Sequence, residues 1–200
     1  MSEVKFSNRI LRRFAETVAL ELGADQYNAM LALANLPADW KNIEAFAAMD
    51  PYHSAHVYAA LQAALRNYFG RGARGVLLRV GGRLWNYLLE DAGLGIRAQA
   101  ALVKRLPMAA RRKPTLDLLA KFISSQPADT MIHTLDLDLL FVDNASPSTH
   151  DQTASTPICF ITQGLIRESL FWATGKNYDV DEIHCKALGE HACEFKITGG

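Results

Sequence analysis

At Gln126-Pro127-Ala128-Asp129 the hydrophobic period of this chain changes, and that change limits the fold more than any other feature. Before it, apolar residues recur every three or four positions; after it, they come in short runs rich in large and β-branched residues. Ile10, Leu11, Phe14, Val18 and Leu22 predict a first helix, capped by Ser7 and stopped at Gly23. Further helices are expected over 25–36, 51–69, 76–89, 96–106 and 115–123. The runs 131–135 and 139–142 predict strands, and 144–156, rich in Ser, Thr, Asn and Asp, predicts a mobile loop. Pro157 suits the first position of a helix that runs from 158 to 174 and stops at Gly175. The segments 178–187 and 192–197 predict a hairpin around Gly189-Glu190. This order predicts an α+β fold: N-terminal helices packed on a small antiparallel sheet, with a C-terminal helix and hairpin. A helical part, 1–126, and a sheet-bearing core, 127–200, are expected to form one compact domain.

The chain carries 21 basic and 21 acidic residues. A nucleic-acid binder shows a basic excess, so that class is not expected. The balance is uneven along the chain: residues 1–125 hold 17 basic and 10 acidic side chains, and residues 126–200 hold four and eleven. No run reaches the length of a membrane span, and Met1 to Arg13 has no apolar leader core, so a cytoplasmic protein is expected.

Gly70-Arg71-Gly72-Ala73-Arg74-Gly75 matches G-x-G-x-x-G, but a helix precedes it where the dinucleotide fingerprint needs a strand. It reads as a helix–helix connection. Lys104-Arg105 and Arg111-Arg112-Lys113 form a basic cluster around Pro107. Such a cluster is usually a solvated face; the functional alternative is a landing site for carboxylate, phosphate or an anionic surface.

All three cysteines, Cys159, Cys185 and Cys193, lie in the last quarter of the chain. That clustering speaks against a disulfide framework. A three-residue connection, 188–190, would set Cys185 opposite Cys193, with Cys159 supplying a third sulfur from the helix start. Thiolates suit zinc, and a tetrahedral site needs one more ligand, which spacing leaves open among Glu182, His184 and His191. In a regular strand Glu182 and Cys185 face opposite sides, so using both requires a bulge or strong twist. Three inert buried thiols are the competing reading.

Pro157-Ile158-Cys159, Glu182-Ile183-His184-Cys185-Lys186-Ala187-Leu188-Gly189 and Cys193-Glu194-Phe195-Lys196-Ile197 resemble the closing motifs of the V4R (4-vinyl reductase) domain family. The resemblance covers about the last 70 residues. A weaker similarity, in 81–89 and 99–107, extends to the helical part of bacteriochlorophyll-pathway members. The resemblance implies a fold related to TRAPP-type subunits, a tendency to homodimerise, and zinc held by Cys159, Glu182, Cys185 and Cys193, as in sensor modules of aromatic-responsive regulators.

A closed four-ligand site is structural rather than catalytic. It would clamp an apolar cavity for a hydrophobic ligand such as a tetrapyrrole, an aromatic or a lipid-like chain. The expected lining is Phe160, Leu165, Leu170, Phe171 and Trp172 from the helix, with Ile132, His133 and Phe141 from the strands. Each apolar residue also reads as ordinary core. His133 is either a satisfied core histidine, a hydrogen-bond partner for the ligand, or a magnesium ligand. No flavin, nicotinamide or iron–sulfur pattern is present, so a carrier or sensor is expected. The alternative is an enzyme or accessory subunit in (bacterio)chlorophyll vinyl reduction.

Overall fold

A computed structural model describes residues 4–199. Among them the helical stretch holds α1 (Asn8–Leu22), α2 (Ala24–Leu33), α3 (Pro51–Phe69), α4 (Ala73–Glu90), α5 (Leu94–Arg105) and α6 (Arg112–Ile123). The sheet follows with β1 (Thr130–Leu135) and β2 (Asp138–Asp143), then α7 (Phe160–Thr174), β3 (Asp179–His184) and β4 (Cys193–Thr198). The fold is α+β, as the change of period predicts.

Local chemistry sets several boundaries. α1 buries Ile10, Leu11, Phe14 and Val18 on one face and ends at Gly23, whose φ of +80° costs an L side chain dearly. Ser7 precedes α1 but makes no side-chain capping bond. Pro51 opens α3, and the Asp50 carboxylate accepts from the amides of Tyr52 and His53 at 2.9 and 3.4 Å. Gly70 to Gly72 form a short 3-10 turn leading into α4, a connection rather than a phosphate cradle. No described helix is long and apolar enough to cross a membrane.

The four strands are antiparallel in the order β1-β2-β4-β3. In the central pair Phe141 faces Phe195, both fully buried, with ring centroids 6.2 Å apart. α7 packs on α4, on α6 and on β3. Its contact with α4 is backbone to backbone. A Cβ added at Gly81 would lie 2.3 Å from the Ile161 carbonyl oxygen, and one at Gly164 would lie 2.4 Å from that of Leu78. Only glycine fits either position.

The basic cluster has a structural use. Lys104 Nζ donates to the Trp172 carbonyl and lies 4.4 Å from that residue's ring centroid. Arg111 Nη1 donates to the Ala173 carbonyl at 2.9 Å. Two cations thus meet carbonyls that end α7, where the helix dipole is negative.

Three local expectations need correction. Segment 144–156 is seated on α3 rather than free: Ser148 and Thr149 are buried, and Gln62 Nε2 donates to Ser148 Oγ at 3.1 Å. Pro157 lies ahead of the helix, because Cys159 is the residue that precedes its first turn. Residues 185–192, with a 3-10 turn at Lys186–Leu188, join β3 to β4 in place of a three-residue connection.

Candidate metal centre

Cys159 comes from the entry to α7, Glu182 from edge strand β3, Cys185 from just beyond that strand, and Cys193 from the first position of β4. The parity conflict between Glu182 and Cys185 is resolved by a bulge. Glu182 pairs with Phe195 while His184 pairs with Glu194, so β3 gains a residue at Ile183. Ile183 turns out to solvent, and Glu182 and Cys185 reach the same side.

The four ligand atoms lie within 4.8 Å of one another. Cys159 Sγ is 3.4 Å from Cys193 Sγ, which is 4.0 Å from Cys185 Sγ. A disulfide would need sulfurs about 2.05 Å apart. Sulfurs bound about 2.3 Å from a tetrahedral zinc stand about 3.8 Å apart. The observed spacings bracket that value. All three thiols are fully buried. Glu182 Oε2 accepts the Cys159 amide at 2.9 Å, whereas Oε1 is buried without a partner. An unpaired buried carboxylate oxygen beside three sulfurs is a donor set that suits a metal ion.

The electrostatics agree. Hydrogen bonds from Cys159 and then Cys193 pull the Cys185 thiol far down. Burial drives the Cys159 thiol up. At Cys193 the bond with Cys159 pulls down, but the bond with Cys185 and burial together push up. Burial, then the Cys185 bond, raises Glu182 to about 8. A divalent cation would reverse this frustration by favouring every deprotonated donor.

Ser146 was not legible as part of this centre. It is buried, in the left-handed region at φ +40°, with Oγ 3.0 Å from Cys193 Sγ and 3.6 Å from Cys159 Sγ. Its amide donates to Asp143 Oδ1 at 2.7 Å. Burial raises that carboxyl to about 6, offset in part by the Ser146 bond and by Lys186. The Lys186 amide reaches Cys193 Sγ at 3.3 Å. His184 and His191 are solvent-exposed and outside the cluster.

The expected cavity residues do not share one environment. Phe141, Leu165 and Leu170 are core, while Phe160, Trp172 and Ile132 are half-buried. Phe171 is exposed and lines an open cleft of 540 Å³ between α4 and α7. His133 is exposed on edge strand β1, so it is not a core histidine. An aromatic cluster that includes Trp172 was missed. Trp85 is fully buried against Trp172 and Phe122, at centroid distances of 5.6 and 5.7 Å, and its Nε1 has no partner.

No curated protein matches the chain by sequence. In structure it is similar to the phenol-responsive sensory domain of the transcription activator PoxR, solved with phenol. That likeness has a TM-score of 0.50 at 14% identity and covers 70% of this chain and 73% of the other. It is similar also to an H-NOX protein from S. oneidensis in the Fe(II)NO ligation state, with TM-score 0.56, 15% identity, and 96% and 97% covered. An H-NOX domain from Shewanella oneidensis in the Fe(II)CO state gives 0.51 at 16% identity, over 96% and 97%. At these identities the likeness is one of fold. Residues 144–198 match the V4R domain family, and all four clustered donors fall inside that span. The V4R match of this chain lies in its C-terminal part.

Proposed function

We propose that the chain is a small-molecule sensing module, with a structural zinc held by Cys159, Glu182, Cys185 and Cys193. The observation that carries the reading is the convergence of three thiols and an unpaired carboxylate oxygen inside the V4R span. Four protein ligands close the shell, so the ion would supply folding free energy and no open position for chemistry. Support for sensing comes from the fold, shared with a phenol-responsive sensory domain and with H-NOX proteins in NO and CO ligation states.

The ligand in this reading is a small aromatic with one polar group. The Trp85 indole N–H, buried among Trp172 and Phe122, is a donor without a partner. Leaving such a donor unpaired costs about 1–3 kcal/mol, which a phenolic or carbonyl oxygen would recover. Trp172, among the residues expected to line the cavity, packs edge-on against Trp85.

Titration of the purified chain with phenol, followed by tryptophan fluorescence and calorimetry, tests the proposal. Saturable binding that Trp85→Phe weakens supports it. Absence of saturable binding across phenol and its simple alkyl derivatives, or binding indifferent to Trp85→Phe, would overturn the ligand assignment.

A further inference from the structure

A second group of metal-ligating side chains lies on the outer face of the molecule, formed by α3 and segment 144–156. His56 Nδ1 is 3.4 Å from Asp151 Oδ2, and His150 Nε2 is 3.3 Å from the same oxygen. All three ligand atoms lie within 4.8 Å of one another. His56 lies 95 positions before Asp151 in sequence, so no spacing motif announces the group.

Two features set this group apart from a chance surface contact. First, both imidazole nitrogens converge on one carboxylate oxygen. Nitrogen and oxygen ligands about 2.0–2.2 Å from a tetrahedral ion stand about 3.4 Å apart, which is the spacing found. Second, the scaffold is fixed on both sides. Gln62 on α3 donates to Ser148, and Arg66 Nη2 donates to Gln152 Oε1 at 3.0 Å. These bonds bracket His150 and Asp151 and hold them over His56. Asp151 adopts φ +54°, a conformation that Asp tolerates better than most residues. His53, one turn before His56, stacks on its ring with centroids 6.0 Å apart and 17° between planes.

We infer that His56, His150 and Asp151 form a second, solvent-open site for a divalent transition-metal ion of the zinc class. Two imidazoles and one carboxylate select borderline ions such as zinc, nickel or copper over magnesium and calcium. Side-chain exposures of 54%, 23% and 53% leave the ion accessible, and three protein ligands leave its fourth position to water. The bound ion would staple the segment that carries Ser146, behind the thiol cluster, to α3 of the helical part. The inference goes beyond the structural zinc and stands without it.

Calorimetric titration of the full chain with Zn²⁺, after dialysis to remove loosely held metal, should show uptake by a site of moderate affinity. Changing an outer-shell partner of a metal site already costs about 10–100-fold in affinity, so His56→Ala and Asp151→Asn should weaken this uptake by at least that much. His191→Ala, remote from the group, should leave it unchanged. Co²⁺ separates the two centres. The thiol site gives intense sulfur-to-cobalt charge-transfer bands, and the histidine site gives visible ligand-field bands without them. Loss of only the latter in His56→Ala supports the inference. Two outcomes overturn it: no ligand-field bands without sulfur character at millimolar Co²⁺, or such bands persisting in a His56→Ala/His150→Ala double variant. Absence of the charge-transfer bands alone would count against the thiol centre and leave the histidine site standing.

Discussion

The backbone amide of Cys159 donates to Glu182 Oε2 at 2.9 Å, tying the entry of α7 to an edge strand through a carboxylate rather than through the ladder. Glutamine at 182 keeps an oxygen for that amide and loses the charge. Glu182→Gln should therefore fold yet release its metal to a chelator far faster than the parent chain. Freshly purified parent protein should hold about one zinc per chain by mass spectrometry, and the variant's affinity should be lower by about 10–100-fold or more. Equal retention in both proteins would remove Glu182 from the ligand set.

Cys185→Ser takes away one of the three clustered sulfurs. Metal binding to a structural site is folding free energy, so the variant should melt at the temperature of the chelated parent. Adding chelator should lower the melting temperature of the parent and leave that of the variant unchanged. A chelator-sensitive variant would contradict the assignment.

Neighbouring glycines in α4 give opposite predictions. Gly81→Ala forces a methyl against a carbonyl oxygen at 2.3 Å and should destabilise by about 1–3 kcal/mol or more. Gly82→Ala meets only the Glu168 side chain, at 3.7 Å, and should be neutral or stabilise by up to about 1 kcal/mol. Urea unfolding of the two variants side by side measures the contrast.

Arg13 grips Asp91 with two bonds, Nε to Oδ2 at 2.5 Å and Nη2 to Oδ1 at 2.7 Å. The Arg13 hydrogen bonds hold the Asp91 carboxyl below its ordinary range. A carboxylate lowered in the folded state stabilises above its unfolded value and loses that contribution as pH falls through the folded one. For this partly exposed pair Asp91→Asn should cost about 1 kcal/mol at about pH 7. The difference from the parent should shrink as pH falls through and below the ordinary carboxylate range. A constant difference in unfolding free energy across that range would show that the pair is not the cause.

The sequence disclosed this fold where periodicity and punctuation agree. Pro51 and Gly175 mark true helix ends because proline fixes its own φ at a first turn and glycine takes the left-handed φ of +70° at a C-cap without strain. The bulge at Ile183 could be anticipated, since no regular strand brings Glu182 and Cys185 to one face. Segment 144–156 was misread because turn-prone composition reports local preference, whereas its burial comes from Gln62 on a distant helix. Ser146 and the His56–Asp151 pair share that origin: contacts across some 50 to 95 positions leave no local pattern. His133 misled because a strand's apolar neighbours do not say which of its faces is covered.

Where α4 crosses α7, main chain rests on main chain at Gly81 and Gly164. Nothing compressible is interposed, so the two helices behave as one stiff lever. A displacement of α4 at Trp85, one turn from Gly81, would therefore have to carry the main chain of Ile161 with it, two residues from Cys159.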